Sequence, residues 1–327
     1  MPSNLFRLRA TLRAALILAV LMIIAMNSSA SAQQNITHRV MTDHFKIWTN
    51  SVAGNQPVLV FSDPIRECNH ARVSPDRKHI VFTRYHLGFP SLETNGYTQT
   101  EAIMCAIDGS TCTSLIAPRA GVVAANSEWT PNGTGIIYAS NQTPNNGPWG
   151  IRQLTMANLK SVLLLATPMM FLADPQEVGT VMALTGEPIF GNSPTAVYTW
   201  NFATQTWTAI TTPTMGDYDP KLFPDGTHLT AMRQIGSSEW HIIVVANGVQ
   251  ADLSMPGSVD AVPEPSGDST RLIFYHIELN NMINTGLWTM AIDGTDRSKI
   301  PLTMGPFYTM PAYWPGSTTQ IIYSSNG

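Results

Sequence analysis

Four residues invite a chemical reading before any fold is assigned. His70, Asn126, Asp219 and Asp260 each stand five residues ahead of a proline (Pro75, Pro131, Pro224 and Pro265) inside a phrase that recurs along the chain. Two more copies put Met170 and Met310 at the same offset from Pro175 and Pro315. If the copies superpose, a histidine, two carboxylates and an amide share one level. They then offer donors to a divalent cation or hydrogen bonds to a polar ligand. The same residue types also have a structural use, because Asp and Asn near turns bond to local backbone. Both readings stand at this point.

The elements that would position these residues are legible in the phrase itself. It reads ARVSPDRKHIVFTRY from Ala71, SEWTPNGTGIIYAS from Ser127, PKLFPDGTHLTAM from Pro220, EPSGDSTRLIFYH from Glu264 and PAYWPGSTTQIIYSS from Pro311. A weaker copy, ADPQEVGTVMAL, starts at Ala173. Each is a strand, a Pro-centred turn and an apolar strand, and the copies recur every ~40–55 residues, the period of a four-stranded propeller blade. Downstream hairpins follow, with Asp-Gly turns in TEAIMCAIDGSTCTSLIAP from Thr100 and GLWTMAIDGTDRSKIPLT from Gly286. The last copy lacks its hairpin, and His44 to Asp63 supplies one before the first copy. The expectation is an all-β, six-bladed β-propeller of four-stranded antiparallel blades, in which N- and C-terminal strands share one blade and so leave no open edge.

SPDRKHIVF from Ser74, FPDGTHL from Phe223 and the turns AIDGS and AIDGT resemble the WD40-like repeat of the Pro-Asp type in TolB-type propellers. The resemblance extends from about His44 to Ser325. It departs from the pattern at Pro175-Gln176-Glu177, which lacks Asp-Gly, and at Ser266-Gly267-Asp268. It implies a periplasmic, protein-binding propeller, although TolB carries an extra N-terminal domain for which residues 33–43 leave no room. Related propellers precede hydrolase domains in prolyl-oligopeptidase-type peptidases. Oligogalacturonate-lyase-like propellers bind metal through channel histidines, for which His70, His86 and His276 are the candidates here.

Residues 1–32 read as a secretory signal, with Arg7, Arg9 and Arg13 ahead of an apolar run from Ala14 to Met26 and Ala30-Ser31-Ala32 before Gln33. The run is short for a membrane span, so no membrane insertion is expected after cleavage, and an uncleaved anchor is the alternative. Residues 33–43 form a short N-terminal segment and 44–327 a single propeller domain. A net charge of −4 with 12% charged residues argues against nucleic-acid binding. Cys105 and Cys112 flank Asp108-Gly109 and would face each other across a hairpin, as a disulfide or as small buried hydrophobes, leaving Cys68 unpaired.

No G-x-S-x-G, HExxH, CxxC or P-loop motif occurs. The expectation is therefore a periplasmic or secreted, non-catalytic scaffold for a protein or polysaccharide partner. No cofactor is expected beyond a divalent cation in the central channel. Trp149, beside Asn145-Asn146-Gly147-Pro148, is the candidate loop contact. The alternative is a propeller lyase or hydrolase acting on carbohydrate or peptide at the channel mouth.

Overall fold

The computed structural model describes residues 45–54, 57–86, 99–119, 122–141, 150–166, 176–186, 194–212, 215–279, 284–301 and 308–326. The expected signal sequence, residues 33–44, Trp149, Met170 and Pro175 lie outside them. The described residues form strands and turns with no α-helix.

In chain order, β1 (Lys46–Ser51) and β2 (Val58–Phe61) form a hairpin. Five groups of four follow. They are β3 (Cys68–Val73), β4 (His79–Tyr85), β5 (Thr100–Ala106) and β6 (Cys112–Ile116), then β7 (Ala124–Trp129), β8 (Gly135–Ser140), β9 (Gly150–Thr155) and β10 (Lys160–Ala166). The third group is β11 (Gln176–Val178), β12 (Val181–Gly186), β13 (Ala196–Asn201) and β14 (Thr206–Ala209). The fourth is β15 (Asp217–Leu222), β16 (His228–Gln234), β17 (Trp240–Ala246) and β18 (Val249–Asp252). The fifth is β19 (Ser258–Pro265), β20 (Arg271–Glu278), β21 (Gly286–Ala291) and β22 (Ser298–Lys299), and the chain ends with β23 (Tyr308–Tyr313) and β24 (Gln320–Ser325). Neighbours within each group are antiparallel. β1 pairs with β24 from Lys46↔Ser325 to Ser51↔Gln320, so the first and last strands belong to one sheet, β2-β1-β24-β23. A single parallel bridge, Trp240↔Val259, joins the fourth and fifth groups into one eight-stranded sheet.

Burial explains the sequence pattern. The second strands β4 and β8 and the third strand β17 are buried over most of their length, so they read as continuous apolar runs rather than alternating ones. The fourth strands lie outermost; β18 and β22 are exposed throughout. Among the described residues five apolar clusters each join two groups that follow one another, and a sixth joins the fourth and fifth groups to the terminal sheet. Ile137 and Ile151 meet Met182 and Leu184 between the second and third, for example, and Ile47 and Ile322 meet Ile80 and Phe82 between the terminal sheet and the first group.

The recurring Asp builds the turn between first and second strands. Asp76, Asp225 and Asp268 each accept a hydrogen bond from the backbone N–H two residues on, and Asn132 does the same from Thr134. These turns also touch one another around one face. Arg77 donates to the Pro315 carbonyl at 2.6 and 3.0 Å, Asp225 N–H donates to Ser269 Oγ, and Gly267 N–H donates to the Ser317 carbonyl.

Two copies are offset from the proline spacing. In the third, the turn after β11 falls at Gly179-Thr180, since Val178 pairs with Val181. In the fifth, Ser266 occupies the place of Ser74: each hydroxyl bonds the Asp two residues on and accepts an N–H five residues on. Pro265 therefore precedes the turn, and the residue equivalent to His70 is Val262, not Asp260.

Candidate functional site: a charged cluster on the innermost strands

The first strand of a group carries a bulge at a fixed place. Register shifts fall between Asn69 and Arg72, Ala125 and Glu128, Tyr218 and Lys221, Ala261 and Glu264, and Thr309 and Ala312. At each bulge one residue adopts a left-handed backbone: His70 (φ 58°), Asn126 (56°), Asp219 (49°), Val262 (51°) and Met310 (47°). Asn and Asp tolerate that conformation, whereas a β-branched Val there is strained. The repeated polar position thus has a backbone reason for Asn126 and Asp219. The bulge re-aims the strand so that the residue two positions on faces the equivalent residue of another group.

Those following residues are Arg72, Glu128, Lys221 and Glu264, and they meet across sheets. Arg72 donates from Nε to Glu128 Oε1 at 2.7 Å and from Nη2 to Glu264 Oε2 at 3.3 Å. Lys221 Nζ donates to the same Glu128 oxygen at 3.1 Å and lies 3.6 Å from Asp219 Oδ1. His70 Nε2 hydrogen-bonds with that oxygen at 3.2 Å. All six side chains are buried. Since their strands come from four groups, the cluster marks where the innermost strands converge.

The electrostatics follow from the contacts. Burial pushes Glu128 up, but Arg72, Lys221 and His70 overcome it and hold the carboxyl well below the usual range. Burial, with Glu128 and Asp219 adding to it, pushes Glu264 up to about 7 against Arg72 and Lys221. Burial and Arg72 lower His70 to about 4, against the pull of Glu128. Buried charges of this kind are costly unless mutually compensated, which is what the shared oxygen of Glu128 achieves.

The expected ring is thereby re-sorted. His70 and Asp219 join the cluster, and Asn126 sits at the matching bulge. Asp260 lies elsewhere: it accepts from His276 Nδ1 at 2.5 Å and from Arg297 Nη2 at 2.9 Å. Its counterpart is Asp217, which takes a two-pronged bond from Arg233 at 2.8 Å, so both tie a first strand to its own second strand or a following loop. His70, His86 and His276 do not converge, as His86 is engaged by Glu101 at 2.5 Å. Among the described residues no three His, Cys, Asp or Glu side chains are placed to hold a metal ion. Cys105 and Cys112 pair in register across β5 and β6 and are joined as a disulfide, with Cα atoms 4.0 Å apart. Cys68 is a buried thiol, pushed up by burial and by Asp63.

Sequence reading missed Arg72, Glu128, Lys221 and Glu264. The available signal was a charge recurring at the centre of a strand that should otherwise be apolar.

No family model matches the sequence, and no curated protein does. Solved structures do. A structure described as TolB from Agrobacterium tumefaciens superposes with a TM-score of 0.62 at 13% identity, covering 86% of this chain and 98% of that one. TolB from Acinetobacter baumannii gives 0.59 at 15% identity, over 87% of this chain and 64% of that one. Oligogalacturonate lyase from Vibrio parahaemolyticus gives 0.51 at 8% identity, over 87% and 98%. At such identities the likeness concerns architecture alone, and the chain has the β-propeller fold of the TolB structures.

Proposed function

We propose that the six four-stranded groups close into a six-bladed propeller, exported to the periplasm, that binds a protein partner on one face. The face is the one formed by the connections from second to third strands and from each group to the next. The observation that carries this reading is apolar exposure in those connections, where Ile65, Met215, Ile235 and Met255 are 65, 43, 43 and 50% exposed; the other exposed apolar side chains lie on the outer strands β2 and β10 or, as Leu159 and Val249, beside turns of the opposite face. Large apolar side chains on one rigid loop face suit a protein interface, and methionine adapts to varied partners. The opposite face is occupied by turn-to-turn contacts such as Arg77 with Pro315. A polysaccharide would call instead for exposed aromatic platforms, and none of the large exposed apolar side chains among the described residues is aromatic.

The test is affinity capture from the native envelope fraction with the full chain after export. Ile65→Glu and Met255→Glu are expected to lose the captured partner while retaining the wild-type melting temperature. Val249→Glu, at the exposed start of β18 beside the other face, is expected to retain it. Capture unaffected by both loop variants, or turnover of oligogalacturonate or peptide by the purified protein, would contradict the proposal.

A further inference from the structure

His241 stands on β17 with a carboxylate at each ring nitrogen. Nδ1 lies 2.6 Å from Asp252 Oδ2, and Nε2 lies 2.9 Å from Glu239 Oε1. Two such hydrogen bonds need two protons, and a neutral imidazole carries one. The second proton belongs on the ring, because Asp252 and Glu239 both reach solvent and an ordinary carboxyl binds a proton more weakly than imidazole. The surrounding charges agree. Arg233, the register partner of His241 on β16, takes both oxygens of Asp217 on β15, and Arg297 of the fifth group is bonded to Asp260 on β19 and to the Leu253 carbonyl. Glu239, ahead of β17, and Asp252, on β18, are therefore met by His241.

These residues also hold two connections of the fourth group that reach the loop face. The N–H groups of Ile235 and Gly236 both donate to the Glu239 carbonyl, which closes the connection exposing Ile235. Ser254 N–H donates to Asp252 Oδ1 at 3.0 Å and Gly257 N–H to Glu239 Oε1 at 2.7 Å, at the two ends of the connection exposing Met255. His241 thus bridges the start of that connection to its end.

We propose that His241 is a proton-operated clasp: as imidazolium it pins the connections carrying Ile235 and Met255 in one arrangement, and as neutral imidazole it must release one of its two carboxylates. Its consequence for a partner rests on the loop face being the binding face. Burial pushes the ring down, but Asp252 and Glu239 outweigh it and hold His241 above its ordinary 6.5. The sign follows from linkage: a raised histidine contributes its stability fully below 6.5 and loses it as pH rises through the folded midpoint.

The full chain, labelled with 15N in histidine and assigned through the backbone, is titrated by NMR beside His241→Gln. One histidine, absent from the variant, is expected to have both ring nitrogens mostly protonated at pH 6.5 and to lose a proton above it. Corrected for the pH dependence of exchange itself, protection of the Gly257 amide should fall roughly 2- to 10-fold across that transition, the worth of one hydrogen bond, and stay level in the variant. Capture of the envelope partner should weaken over the same range. A His241 ring more than half neutral at pH 6.5, or Gly257 protection that does not follow the ring, would overturn the clasp, and the wild-type titration decides this even if the variant does not fold. Capture that ignores an observed transition would overturn its role in binding. Capture absent at every pH, with the transition present, would support the clasp and contradict the loop face as the binding face.

Discussion

Glu128 concentrates more of the fold's electrostatics than any other described side chain, because one of its oxygens receives Arg72, Lys221 and His70 from two other groups. Removing its charge leaves two buried cations without their shared counter-ion. Glu128→Gln should therefore cost about 3–5 kcal/mol, read from the urea midpoint at pH 7, whereas replacing an exposed carboxylate should change little. The proline spacing pointed to His70 and Asp219, which do reach this cluster. It pointed past Arg72, Glu128, Lys221 and Glu264 because a bulge displaces the side chain that faces the axis by two residues, and bulges have no fixed sequence signature. Asp260 was brought in by a proline that precedes its turn instead of forming it. Its true partners, His276 and Arg297, lie on or beyond the next strands of the same group.

Single strands and hairpins were the most legible level. The Asp-Gly turns of β5–β6 and β21–β22 follow from local chemistry: Asp108 and Asp293 each accept the N–H two residues on, and Gly109 and Gly294 take the left-handed backbone that glycine permits. Less legible was the third group, where Gly179-Thr180 makes the turn without an Asp. The Cys105–Cys112 bond closes a loop of only a few residues within one hairpin, so its entropic contribution is at the low end of the range for disulfides. The Cys105→Ser, Cys112→Ser variant should lose about 2–3 kcal/mol by urea denaturation and keep its partner binding. A loss of cooperative unfolding in that variant would show that the hairpin supports more than itself.

For the whole molecule, the repeat predicted the order of strands before any contact was known, including the pairing of β1 with β24 that joins the two ends of the sequence. What the repeat does not encode is a ligand. The copies share their turns and their buried strands, whereas Ile65, Met215, Ile235 and Met255 occur in connections that differ from copy to copy. The proposed binding function is accordingly assigned to the places where the repeat breaks down, on the loop face, with the charged cluster holding the innermost strands beneath it. The most direct measurement is site-specific photo-crosslinking in the native envelope, with the photoreactive residue placed at Met255 on the loop face or at Val249 beside the opposite face. The account predicts a discrete crosslinked protein from position 255 and none from 249. Equal yields from both positions, or a product from 249 alone, would contradict it.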